Sequence, residues 1–413
     1  MRRKAIISLI IIIMFLTVAL RFLLWFPGRL QQFPVPPGAA MLVQREPGSN
    51  EESPKEVGKD LRILFAGDTS FGESYHGESF FDPRGYDYFL EKLAPLLNQS
   101  DLVIANLETP LTDLTESPLL EKKRYLHWGD MHKTSTTLVN HNIRSVSLAN
   151  NHMLDYGVEG LLQTLQTLRK NNIEWFGAGL NASQASIPLR RQFMLDGHPF
   201  HLVVASGFEY RRRYNWVFRF YAKRNSGGIN RWKRKDAAEQ IRKLRQADRS
   251  AFIVASPHWG QNYCFKTEDQ TKLAHTLIEA GSDLVIGHGA HVLQEIEYYR
   301  DRWIIYSLGN FVFNSPGRYQ SMLVDPFSLA AGLDVINSGG YLALTLRLYP
   351  IFSDNLITDY QPRLVTQEEL AKVKSVLLQH SPDPVHLQKE LNIGIDGIGL
   401  FLILDVANLP RAK

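Results

Sequence analysis

Carboxylates and imidazoles stand at the ends of apolar runs along this sequence. Asp68 closes ILFAGD, Glu108 closes DLVIANLE, His152 closes SVSLANNH, His258 lies in FIVASPHWG, and His288 and His291 end DLVIGHGAH. Acidic oxygens, an Asn carbonyl and neutral imidazoles are the donors that a divalent cation with mixed oxygen and nitrogen ligation requires. That points to Mn, Fe, Zn or Mg in one or two sites. Asn150, Asn151 and His152 put an amide next to an imidazole, so Asn151 can ligate while His152 donates a proton to a leaving group. Gly287, ahead of His288, lets the backbone approach a ligand closely, and Trp259 beside His258 offers a wall. Each residue alone has a plainer reading. Asp68 and Asp155 could cap turns or helices, and Asp155 stands before Tyr156-Gly157 and a helix. Glu108 before Thr109-Pro110 could start a turn, and His258 could be a satisfied structural histidine. The shared pattern of run-ends outweighs these separate readings. His76, His127, His132, His141, His198, His201, His275 and His380 lack that setting and read as surface or packing residues, His127 being the least clear of them.

The elements that must position these residues alternate along the chain. Strands are expected at 62–67, 102–106, 144–149, 252–256 and 283–287. Helical spacing runs through 86–99, 134–142, 157–172, 234–248 and 268–281. Repeated strand–helix–strand units predict a largely parallel sheet with helices outside, and such sheets build their sites at the carboxyl edge of the strands. After that the pattern changes. YLALTLRLYPIF and GIGLFLILDV read as strands in a more antiparallel arrangement, with a helix over 365–380 between them, completing a second sheet or edge layer.

The chain has 413 residues, 44% of them hydrophobic, enough for one large core or two smaller ones. Lys+Arg 46 against Asp+Glu 42 leaves a formal net charge of +4, which by itself indicates neither nucleic-acid nor membrane-surface binding. The lone Cys264 excludes an intramolecular disulfide and a thiolate-rich zinc site. At the start, MRRK precedes AIISLIIIIMFLTVALRFLLWF, an apolar run of roughly the twenty residues needed to span the hydrocarbon core. Arg21 lies near its far end, where it can snorkel. The basic start favours a single-pass anchor over 1–26 with the bulk of the chain outside the cytoplasm, a cleaved signal peptide being the rival. Residues 27–60, rich in Pro, Gly, Ser and charge, read as a disordered linker, and 61–413 as the folded domain. Within that domain Arg211 to Lys235 interleaves cations with aromatics. It reads equally as a solvated loop leading into a helix and as a contact for a polyanion or lipid headgroups, with Arg211, Arg212 and Arg213 as binding residues. Nucleic acid is not an expected partner.

GDTSFGE, ANLETPLT, LANNHMLDYG, WFGAGLN, PHWGQNY, IGHGAHVLQ and YSLGNFVF, in this order, resemble the CapA family of capsule and poly-γ-glutamate synthesis proteins. The resemblance covers roughly 61–314, with 315–413 completing the domain. It implies a four-layer α/β/β/α sandwich similar to the calcineurin-like metallophosphoesterases, behind an N-terminal transmembrane helix. It also implies ligase and integral membrane partners, and an anionic polymer or phosphorylated envelope compound as substrate. On that resemblance Asp68 ligates the first metal, Glu108 bridges, Asn151 and His152 supply the Asn ligand and the acid histidine, and His258, His288 and His291 are the later histidines. Asp155 and Asn310 fall in the same motifs. Ser70 stands where metallophosphoesterases usually place a His, and GHGAH replaces GHHPH, so Gly289 and Ala290 remove an imidazole and a proline. The first metal site is therefore expected to be weak or empty. Two functions follow: a metal-dependent hydrolase of a phosphoester or related bond, or a non-catalytic subunit that binds polymer or assembles a synthase complex.

Overall fold

The computed structural model describes residues 54–410. The expected membrane segment and residues 27–53 of the expected linker lie outside the described residues. Among the described residues no helix is long and apolar enough to cross a membrane. The end of the expected linker departs from the sequence reading. Lys55–Val57 is a strand whose backbone pairs in parallel with Leu189–Leu195, so the chain joins a sheet before Leu61.

The chain is mixed α/β with two large sheets. One is 10-stranded, and its centre runs in parallel through Asp60–Ser70, Leu102–Leu107, Ile143–Ser147 and Glu174–Phe176. On the other side of Asp60–Ser70 the same sheet continues through the antiparallel strands Phe327–Asn337, Tyr341–Phe352, Leu400–Pro410 and Asn392–Ile395. The C-terminal strands therefore extend the sheet that carries Asp68, instead of building a second one. The other sheet is 8-stranded and carries His198–Glu209, Phe252–His258, Leu284–Ile286 and Arg302–Ile305 as parallel neighbours. Its Leu189–Leu195/His198–Glu209 hairpin turns on Asp196-Gly197, with φ of 46° and 78°. Two left-handed residues match the right-handed twist of the flanking strands, which is why Asp-Gly suits this loop.

Period-two alternation explains how these strands pack. In Asp60–Ser70, Leu61, Ile63 and Phe65 enter an apolar cluster shared with Leu202, Val204, Phe252, Val254, Leu284 and Ile286 of the other sheet. Leu64 and Ala66 enter a different cluster, with Phe89, Leu93, Leu138, Leu161 and Leu165 of the flanking helices. Val203, Ala205, Ile253 and Ala255 turn outward to Ala237, Ile241, Leu273 and Leu277. Strands buried on both faces read as continuous apolar runs, and each fully buried Leu, Ile or Phe adds roughly 1.5–3 kcal/mol.

The helices start where side chains satisfy their first N–H groups. Asp130 accepts from His132 and Lys133 at the head of Met131–Asn140, which moves that helix three residues ahead of its apolar spacing. Thr267 and Gln270 form a capping box on Glu268–Glu279, as do Thr366 and Glu369 on Gln367–His380. The helix expected over 86–99 is divided: Asp87–Leu93 is 3-10 and Ala94–Asn98 is α, with Pro95 in the first turn of the latter. Asn310–Phe313 pairs in parallel with the last residues of Asp60–Ser70, placing Asn310 beside Asp68. Gly67 allows this, because a Cβ there would lie 2.1 Å from the Gly309 carbonyl oxygen.

Candidate metal centre

Parallel pairing sets Asp68 opposite Asn106, and Asn106 opposite Ser147, at the carboxyl edge of one sheet. In the other sheet His258 is the last residue of its strand and bridges to His288. The two edges meet in a buried polar cluster. Ligand atoms of Asp68, Glu108 and His291 all lie within 4.8 Å of one another. His291 Nδ1 is 3.2 Å from Asp68 Oδ2, and its Nε2 is 3.8 Å from Glu108 Oε1. Around the same Glu108 oxygen stand His258 Nε2 at 3.6 Å and His152 Nε2 at 3.9 Å. Asn151 Oδ1 is 2.6 Å from His258 Nε2, and His288 Nδ1 is 3.9 Å from Asp68 Oδ1. His291 itself adopts a left-handed φ of 59°.

These residues fit a divalent cation. Both oxygens of Glu108 and Nδ1 of His288 are buried without a hydrogen-bond partner. A buried carboxylate in that state is costly, and a cation with oxygen and nitrogen ligands removes the cost. Burial, together with the Asp68 charge, pushes Glu108 well above the usual carboxylate range. Burial also acts to raise Asp68, but the hydrogen bond and charge of His291, helped by His258 and His288, outweigh it and hold this carboxyl below its ordinary value. Burial keeps His258 well below the usual histidine value and His288 at about 4, so both imidazoles are neutral donors near neutral pH.

The family of the bacterial capsule synthesis protein PGA_cap matches residues 62–315. The chain belongs to this family. It is 32% identical to the PGA biosynthesis protein CapA of Bacillus subtilis over 260 residues, 62% of this chain and 63% of that protein. It is 28% identical to the capsule biosynthesis protein CapA of Bacillus anthracis over 279 residues, 67% of this chain and 65% of that one. A probable polyglutamine synthesis accessory protein of Mycobacterium tuberculosis is 31% identical over 238 residues, 55% of this chain and 60% of that protein. The chain thus spans slightly less than two thirds of the length of these relatives.

Several residues of this PGA_cap chain sit differently from their sequence reading. Asp155 caps no helix. The following helix, Gly157–Lys170, starts after Tyr156 without a side-chain cap, and Asp155 instead accepts from His152 Nδ1 at 2.7 Å and from the His127 backbone N–H at 2.7 Å. It also pairs with the buried Lys123, whose Nζ donates to the Asn151 carbonyl at 2.7 Å. His127 is neither a surface nor a plain packing residue: its ring stacks on His152 at 3.5 Å, and Tyr75 Oη lies 2.9 Å from its Nε2. Trp259 walls no site, because it is fully buried in the outer cluster and donates to the Tyr306 carbonyl at 2.7 Å. The same packing explains Gly287, where a Cβ would meet Tyr306 O at 2.1 Å; the close approach there is to protein, not ligand. Gly289, with φ +98°, donates its N–H to both Asp68 oxygens at 3.2 Å. Arg211 bonds Glu209 and the Gly260 carbonyl, Arg213 bonds the Lys122 carbonyl, and Arg212 is exposed. Asn310 Oδ1 lies 2.9 Å from His291 Nδ1, while its amide donates to Tyr319 Oη at 3.0 Å.

Asn106, Lys123 and His127 are the site residues that sequence reasoning missed. Asn106 donates to Asp68 Oδ1 at 2.8 Å and lies 3.2 Å from His258 Nδ1, tying the two sheets together. Its signal was its place at the end of the expected strand 102–106, two residues before Glu108. Lys123 and His127 lie outside any helix or strand, and no local pattern marks them.

Proposed function

We propose that this chain acts in the synthesis of capsule, poly-γ-glutamate or a related envelope polymer, as a single-pass membrane protein with its domain outside the cytoplasm. In this reading the domain is an α/β/β/α metallophosphatase-like sandwich, and its site is a metal-dependent hydrolase centre for a phosphoester or related bond. What supports the role is membership of the PGA_cap family together with the printed names of the relatives. What supports the layering is the apolar cluster between the sheets with a helix-lined cluster outside each. The basic, apolar N-terminus supports the anchor. Ligase and integral membrane subunits are the proposed partners.

The observation that carries the metal reading is the unpartnered Glu108 carboxylate among His152, His258 and His291. Glu108, Asp68 and His291 would hold the ion, with His258, His288 and Asn151 in reach. A bound divalent cation would polarise the scissile group and lower the pKa of an attacking water. The protein's own part is proton handling. Asp155 accepts from His152 Nδ1 and so fixes the ring, leaving Nε2 towards Glu108 and a cavity of about 220 Å³ that His152 and His291 help to line. Burial and the Lys123 charge hold His152 well below the usual histidine value. The proton it delivers to a leaving group is therefore one it has first accepted at Nε2.

A non-catalytic subunit is the second reading, favoured by Asp68. Its oxygens are already engaged by Asn106, Gly289 and His291, and no imidazole stands at Ser70. Metal analysis of the full-length protein in detergent, with a phosphodiester hydrolysis assay, separates the two. The hydrolase reading expects bound metal in the wild type and activity that falls in His152→Ala and His258→Ala. A metal-free wild type, or activity indifferent to both changes, removes it.

A further inference from the structure

The cavity beside the candidate metal centre is lined by one cation, Arg318, whose partners among the described residues are aromatic rings. Arg318 lines it together with Tyr125, Tyr263, His152 and His291, and none of the lining residues is acidic. The guanidinium sits over the Tyr263 ring at 5.1 Å and over the Tyr125 ring at 5.9 Å. Among the described residues it makes no ion pair and no side-chain hydrogen bond. Cations elsewhere in the chain that the sequence or the site singles out differ. Lys123 is committed to Asp155, Arg211 to Glu209, and Arg213 to the Lys122 carbonyl. Rings that hold the face of a guanidinium leave its edge donors free, and that edge matches the two oxygens of a carboxylate or phosphate. Tyr263 also lies 5.9 Å from the His291 ring, so one aromatic side chain separates the cation from the candidate ligand set.

The geometry points to Arg318 as the anion-binding residue of the cavity, taking an oxyanion of the substrate, carboxylate or phosphate, next to the group that reacts. The inference rests on the reading of the site as a metal centre for where that reacting group lies. It also transfers the anion contact from Arg211, Arg212 and Arg213, two of which are spent on internal partners, to a residue outside the basic segment.

The test is calorimetric titration of chelated full-length protein in detergent, at low salt, with inorganic phosphate and with glutarate. The subsite expects Arg318→Ala and Arg318→Gln each to weaken at least one of these anions by about tenfold or more, and Arg318→Lys to keep part of the affinity, since an ammonium lacks the fork. Melting temperatures should match the wild type. Whichever anion loses more names the group. Equal affinity of wild type, Arg318→Ala and Arg318→Gln for both anions overturns the proposal. Metal uptake, measured on the same preparations after the chelator is removed and Mn2+ is supplied, keeps the two readings apart. Arg318-dependent binding in a protein that takes up no metal sinks the metal reading and leaves the subsite standing; retained metal with Arg318-independent binding sinks the subsite alone.

Discussion

Replacing Lys123 by Met isolates the charge that holds the His152 side of the site together. The side chains of Lys123 and Asp155 are 6% and 0% exposed. Burial lowers the lysine and raises the aspartate, so both charged forms are held at a cost and the pair contributes little net stability compared with an apolar pair. Removing one partner is a different matter. Asp155 would keep only His152 Nδ1 and the His127 backbone N–H, and the Asn151 carbonyl would lose its donor. Breaking a buried pair in this way costs about 3–5 kcal/mol. With an unfolding entropy of about 2.1 cal/mol/K per residue, a domain of this size then loses about 4–7 °C in Tm. Differential scanning calorimetry of chelated protein at pH 7 measures that loss. The double variant Lys123→Met/Asp155→Asn removes both charges and is expected to recover more than half of it. A Lys123→Met protein within about 1 °C of wild type, or a double variant that falls by the sum of the single changes, would refute the buried-pair account.

Other consequences are open to simple measurement. Adding Mn2+ at about one hundred times its dissociation constant should stabilise the wild type by about 2.7 kcal/mol, and Glu108→Gln should lose most of that gain in the same melting assay. In chelated protein Glu108 titrates above its ordinary 4.5, so its protonated form is favoured on folding. That stabilisation is complete below pH 4.5 and is lost as pH rises through the raised value, so Glu108→Gln should flatten the decline in Tm above pH 4.5. His288 has the opposite sign: its contribution is present above 6.5 and lost as pH falls towards about 4, so His288→Gln should blunt acid destabilisation in that window. Gly289→Ala places a methyl 2.7 Å from His258 Nε2 at a φ of +98°. It should cost about 1–3 kcal/mol and weaken metal uptake, read by calorimetry and metal analysis.

Much of the fold is legible because burial on both faces leaves apolar runs that need no partner to be recognised. Asp60–Ser70, Leu102–Leu107, Phe252–His258 and Leu284–Ile286 are of this kind. The Leu189–Leu195/His198–Glu209 hairpin carries a local signal in Asp196-Gly197, but one that is weaker than the strand–helix alternation on either side of it. Phe327–Asn337 was also missed, although it links the C-terminal strands to Asp60–Ser70. Lys55–Val57 could not be read, since three residues in a charged stretch become a strand only through an edge that comes more than a hundred positions later in the chain.

The sequence by itself put Asp68, Glu108, Asn151, His152, His258, His288 and His291 at or just after the ends of apolar runs, where α/β sheets build their sites, but the edges that meet belong to two sheets and not to the single parallel sheet the alternation predicts. Tertiary structure alone decided how each of them is used. It made Asp155 a partner of His152 and Lys123 instead of a helix cap, and moved Trp259 into the outer core. It brought His127 and Asn106 into the site, and left Arg318 as the cavity's uncommitted cation. The physical reason is that periodicity reports which face of an element is buried, whereas pairing of a buried charge depends on which distant segment fills the space opposite it.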